Sequence, residues 1–195
     1  MIMKRILFII LLFLNANFVL AQKTDSTAAK TPKAKNVDGT LMSPAKNLAD
    51  NISSSAQLST LVKIIEASGL TENLRSGTIT FFAPENQAFD KLAPGILDTL
   101  LKLTHKADLV NLVNNHIVQG RISSKDIAAQ IKSGNGQAVL TTLAGGTLTA
   151  RINENRNIVL TDDNGDQSII TRLDIEQSNG MLFIVNSVLL PKAKP

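Results

Sequence analysis

Residues 78–92 read TITFFAPENQAFDKL. Thr78, Ile79 and Thr80 place β-branched side chains ahead of Phe81 and Phe82, which predicts a strand. Pro84 has no N–H to give to a neighbouring strand, so the chain is expected to leave the sheet there. Phe82 and Phe89 are then expected to pack on the same core. The next stretch, ending in GILDTLLKL, is read as short helices, with Pro94 at a first helical position. Ile96, Leu97, Leu100, Leu101 and Leu103 form its apolar stripe.

Upstream, Asn47 can cap a helix containing Leu48 and Ile52. Leu58, Leu61, Val62, Ile64 and Ile65 follow at helical spacing, and Gly69 can close that helix in a left-handed conformation. Downstream, KADLVNLVNN carries Leu109, Leu112 and Val113 on one side, with Asn114 and Asn115 as candidates to end it. HIVQG reads as a short strand ending at Gly120. Ser123 and Asp126 have the separation of a helix cap and its first-turn acid. Beyond Gly134, turn signals recur at GNG, AGG, NENRN and DDNGD, between QAVLTTL, TLTARI, NIVL, SIITRLDI and finally GMLFIVNSVLLP. These are closely spaced strands, mostly antiparallel by their short connections. Helices precede a sheet-rich half, so the fold class is α+β.

The N-terminus reads MIMKRILFIILLFLNANFVLAQ. Lys4 and Arg5 precede an apolar run from Ile6 to Leu14, and small residues precede Gln22, the pattern of a signal peptide over residues 1–21 cut after Ala21. The run is too short to cross a hydrocarbon core of about 30 Å, so no stable membrane span is expected after cleavage. The chain has no cysteine, which excludes a lipid-bearing cysteine, a disulfide framework and thiolate metal sites. Residues 22–43 are small, polar and basic and are expected to be a flexible leader; residues 44–191 form the domain and 192–195 a short basic tail. The whole chain has a formal charge of +4, yet between Leu41 and Pro191 there are 12 basic and 14 acidic residues. The positive balance therefore lies outside the domain, and no nucleic-acid partner is expected.

Candidate chemistry is sparse. His116 has no acid–base partner at short spacing and reads as a partly buried side chain bonded to backbone. Asp162, Asp163 and Asp166 lie in TDDNGD. An EF-hand would need a ligand at its twelfth position, where Leu173 stands, and Asn164–Gly165 is a type I′ hairpin signal, so a turn is favoured over a cation site. Ser53–Ser55 lie in no nucleophile elbow, and no phosphate-binding glycine motif is present. With no Tyr or Trp, ring platforms for sugars or bases are few. No catalytic constellation, metal site or cofactor site is assigned.

Three segments together resemble the fasciclin domain family, also called FAS1 or BIgH3. In TITFFAPENQAFDKL the matching residues are Phe82, Ala83, Pro84, Asn86, Ala88 and Phe89. In NNHIVQG they are His116 and Gly120, with Asn115 where tyrosine is usual. In SNGMLFIVNSVLLP they are Asn179, Gly180, Ile184, Val185, Val188, Leu189 and Pro191, with Phe183 in place of the usual histidine and Asn186 in place of aspartate. The resemblance implies an N-terminal helical layer packed against wedge-like twisted β-sheets. It also implies a secreted, surface-held or periplasmic protein without cofactor or catalysis, expected to be monomeric and to bind surface or matrix proteins or polysaccharides. The alternative is a small-molecule-binding or sensing domain with no adhesive role. Asn115 lacks the ring of tyrosine, which weakens any transfer of the family's tyrosine–histidine adhesive segment. Gly180 fits a tight approach to the last strand, and Phe183 is expected to pack apolarly.

Overall fold

The computed structural model describes residues 33–192; the expected signal peptide and most of the expected leader lie outside the described residues. Strands are β1 (Lys35–Val37), β2 (Thr40–Met42), β3 (Ile79–Pro84), β4 (Ile117–Gln119), β5 (Ala138–Thr141), β6 (Thr147–Ile152), β7 (Ile158–Thr161), β8 (Gln167–Gln177) and β9 (Gly180–Val185). Helices are α1 (Leu48–Ser53), α2 (Ser59–Ser68), α3 (Asn86–Phe89), α4 (Ile96–Leu100), α5 (Lys106–Asn115) and α6 (Ser124–Ser133).

The local signals act as their chemistry requires. The Asn47 side chain accepts from the Asp50 N–H at the start of α1, and Gly69 ends α2 at φ 79°. Ser123 and Asp126 form a reciprocal capping box on α6. Two readings change. Pro94 stands before the helix cap of α4, which is Gly95 at φ 81°. Helix α5 runs through Asn115 and ends at His116 with φ −95°, so neither Asn114 nor Asn115 takes a left-handed conformation.

Residues 35–42 fell within the expected leader, but they fold into a hairpin. Asp38 and Gly39, at φ 47° and 90°, make the turn, and the register puts Val37 and Met42 on one face. Each is 1% exposed in the core beneath. Low apolar content was a poor guide here, because a two-residue turn needs only these two side chains to anchor it.

Seven strands form one sheet in the order β4-β3-β9-β8-β7-β6-β5. All neighbours are antiparallel except β3 and β9, which run parallel with Phe82 opposite Phe183. A bridge between Val118 and Thr142, with the Leu143 N–H on the Ile117 carbonyl at 2.8 Å, draws the two edge strands together. The sheet thus curls into a nearly closed barrel.

Every residue of β3 and β9 is buried. Because side chains alternate, the two strands feed two cores. Phe81, Ala83, Leu182 and Ile184 face α1, α2 and α5, together with Phe89. Phe82, Phe183 and Val185 face the barrel interior, with Leu148, Leu160 and, from α6, Ile127 and Ile131. The expectation of one core shared by Phe82 and Phe89 is therefore corrected: adjacent residues of a strand point to opposite faces, and Phe81 is the ring that joins Phe89.

Candidate functional site

The three motif segments meet where β3, β9 and the C-terminal stretch pass the end of α5. Phe82 and Phe183 stack with ring centroids 5.3 Å apart and planes inclined by 24°. Ala83 and Pro84 continue β3, and the Glu85 N–H donates to the Val185 carbonyl at 3.1 Å. Ala88 and Phe89 turn inward from α3. Gly180 has to be glycine, since a Cβ there would lie 2.0 Å from the Ile79 carbonyl oxygen. Gly120 makes its turn at φ 92° and donates to the Thr78 carbonyl.

The motif asparagines are clamps. Asn86 accepts from the Thr60 N–H at 2.9 Å and donates to the Ala56 carbonyl at 2.9 Å, tying α3 to the start of α2. Asn179 accepts from the Leu48 N–H and donates to the Leu74 carbonyl, both at 2.9 Å.

His116 is 2% exposed. Its Nε2 accepts from the Leu189 N–H at 3.0 Å, so the ring proton resides on Nδ1, which donates to the Leu112 carbonyl at 2.9 Å. Burial lowers its pKa to about 4, against a smaller upward pull from the Leu112 carbonyl. The ring is neutral near pH 7, and both nitrogens are engaged. Asn115 grips the same residue, donating from Nδ2 to the Leu189 carbonyl at 3.1 Å and accepting from the Thr142 hydroxyl at 3.3 Å. It is a buried clasp, a role its sequence position did not disclose.

The acidic turn completes the clasp. Asp162 Oδ2 accepts from the Leu190 N–H at 2.8 Å, while Oδ1 takes the N–H groups of Asn164 and Asp166. Burial raises the Asp162 pKa, and those three N–H donors pull against it. Asp163 accepts from the hydroxyl and the N–H of Thr147, which hold its carboxyl below the usual range. Asn164 Nδ2 donates to the Leu190 carbonyl at 3.0 Å and to that of Pro191 at 3.4 Å. The hairpin reading holds, but not as type I′: only Gly165 has positive φ, the Gly165 N–H bonds to Asp162 O and the Asp162 N–H to Asp166 O. This is a three-residue loop closing on a left-handed glycine. Among the described residues, no group of three or more His, Cys, Asp or Glu side chains is placed to hold a metal ion.

The sequence-predicted residues thus assemble a structural junction. Beside Phe89 and His116 lies an apolar gap of only about 10 Å³. Larger hollows open elsewhere. One of about 270 Å³ lies by α3, but its cation Lys91 already donates to the Asn186 carbonyl and Ser187 hydroxyl. Another, of about 260 Å³, lies between α6, the Asn153–Asn157 turn and β8, with Ile152, Ile158, Ile170 and Leu173 beside Lys125 and Arg156. Neither Lys125 nor Arg156 was singled out from the sequence. A usable signal existed: NENRN and DDNGD align position for position, with arginine where the second turn has glycine.

The comparisons with known proteins agree on one family. The family model described as the Fasciclin domain matches residues 56–191. Protein sll1483 of Synechocystis is 30% identical over 162 residues, which cover 83% of this chain and 82% of that protein. Transforming growth factor-beta-induced protein ig-h3 of Sus scrofa is 30% identical over 158 residues, 80% of this chain but 21% of that protein. The solved structure of a FAS1 domain pair from the insect cell adhesion molecule Fasciclin I superposes with a TM-score of 0.66 at 18% identity, covering 74% of this chain and 51% of that one. The α+β architecture expected from the sequence is that fold, and the chain belongs to the fasciclin domain family.

Proposed function

We propose that the chain is an exported, non-enzymatic interaction module that binds surface or matrix proteins or polysaccharides. The observation that carries this reading is the engagement of the junction's polar side chains: His116, Asn115, Asn86 and Asn179 from the motif segments, and Asp162 from the acidic turn, all hold backbone groups of the chain itself. None is left to act on a substrate, so recognition falls to the outer surface. The family's association with adhesion-type proteins, the insect molecule among them, supports the same reading. Among the described residues, no helix is long and apolar enough to cross a membrane.

The test begins with fractionation of the native host by antibody, then co-purification from the fraction that holds the protein. A saturable protein or polysaccharide ligand in an exported fraction is expected. Retention in the cytosol, or no saturable ligand among authentic surface components, would overturn the proposal.

A further inference from the structure

The groove beside α6 is built by two departures from regular sheet. Pairing of β7 with β8 reaches Val159 and Ile169, and beyond that β8 shifts register twice against its other neighbour, β9, between Ile170 and Arg172 and again before Ile175. Asp174 sits in that irregular stretch at φ 51°, and its carboxylate accepts from the Ser124 N–H and hydroxyl at the start of α6. The strand is bent away from β7 and fastened to the helix, and an apolar floor of Ile158 and Ile170 is left open between them. Ile152 and Leu173 border it at 48% and 39% exposure.

Arg156 is the second departure. The Asn153–Asn157 turn has the same bonds as the Asp162–Asp166 turn: Asn153 N–H to Asn157 O, and Arg156 N–H to Asn153 O. Arg156 therefore occupies the left-handed position that Gly165 fills in the other turn, at φ 62°. Among the described residues it is the sole residue at such a φ that is neither glycine, asparagine nor aspartate. Side chains other than these are disfavoured there. Among the described residues its guanidinium gains no ion pair or side-chain hydrogen bond in return, and neither does the ammonium of Lys125, which also lines the groove.

We infer that this groove is the contact site for an acidic, apolar segment of a partner protein, whose aliphatic side chains cover Ile152, Ile158, Ile170 and Leu173 and whose carboxylates pair with Lys125 and Arg156. The charge of the rim selects an anionic occupant. The half-exposed Ile152 and Leu173 select a macromolecule: a small amphiphile would leave these side chains and part of its own tail in water, whereas a protein segment carries enough surface to cover them. This site rests on the reading of the chain as an interaction module and names the partner's chemistry.

The probe is a fluorescein-labelled, end-blocked hexapeptide of alternating leucine and glutamate, titrated by anisotropy into the full chain, with a leucine–glutamine peptide as control. The glutamate peptide is expected to bind at least tenfold more tightly, with affinity falling as salt rises. The double substitution Lys125→Gln with Arg156→Gln should weaken binding at least tenfold. Arg156→Gly is the decisive single variant: it should raise the thermal midpoint while weakening the peptide, a pairing that a purely structural arginine would not produce. Equal affinity for the two peptides, or wild-type affinity in the double variant, overturns the inference. So does binding of phosphatidylglycerol vesicles, in place of the peptide, that the double variant abolishes. If the double variant still captures the host's surface ligand as the native protein does, the groove fails and the interaction module stands. If the peptide binds at the groove but no surface ligand exists, the module reading fails and the groove's role as a partner contact site falls with it.

Discussion

His116 is buried as a neutral ring that serves the backbone at both nitrogens. Its folded pKa of about 4 lies below the ordinary value of 6.5, so between these values the unfolded chain binds more protons than the folded one. Stability from this residue is therefore complete above pH 6.5, lost progressively as pH falls toward 4, and constant below. Denaturant titrations at pH 7 and pH 5 should differ by about 2 kcal/mol. His116→Gln should remove most of that slope. Phe183 tests packing by a different route. It fills the barrel interior against Phe82, where the family's usual histidine would bring a polar ring. Phe183→Ala should cost about 3–5 kcal/mol in urea unfolding, and Phe183→His should also destabilise, because the barrel core around it is apolar.

At the scale of the element, the two matched turns make a controlled pair. Arg156→Gly should stabilise the fold by about 1 kcal/mol, and Gly165→Ala should destabilise it by a similar amount, both read from the urea midpoint. Strands β3 and β9 test close approach. Gly180→Ala must push the two backbones apart at Ile79, and a loss of about 3 kcal/mol or more of stability is expected by the same measurement. Much at this scale was legible in the sequence. The caps at Asn47 and Ser123 and the stop at Gly69 are local chemistry, decided within four residues of chain. The type I′ reading of Asn164–Gly165 failed although the glycine was right, because loop length depends on which residues outside the pair find partners. The groove was hidden for a related reason. A register shift in β8 is fixed by its neighbours and by Ser124, 50 residues away, and alternating hydrophobicity along SIITRLDI does not record it.

Across the whole molecule, Phe81, Phe82, Phe89 and Phe183, all from the first and last motif segments, are buried. Their division between two cores depends on strand parity and on the parallel pairing of β3 with β9, a contact no short connection announces. The N-terminal hairpin shows the limit of composition as a guide to boundaries. A chain starting at Ser43 would strip Val37 and Met42 from the helical core, and a loss of about 3–5 kcal/mol is expected. A chain starting at Pro32 keeps the hairpin and should match the full chain in thermal unfolding.

The placement of β9 has a temporal consequence. The strand closest to the C-terminus lies inside the sheet, between β3 and β8, and supplies side chains to both cores. As the polypeptide emerges from the ribosome, β3 waits about a hundred residues for the partner that completes it. No earlier portion holds a finished core, so the nascent chain stays open until its final strand is released. A chain of this topology is thereby held back from folding until its synthesis is nearly complete.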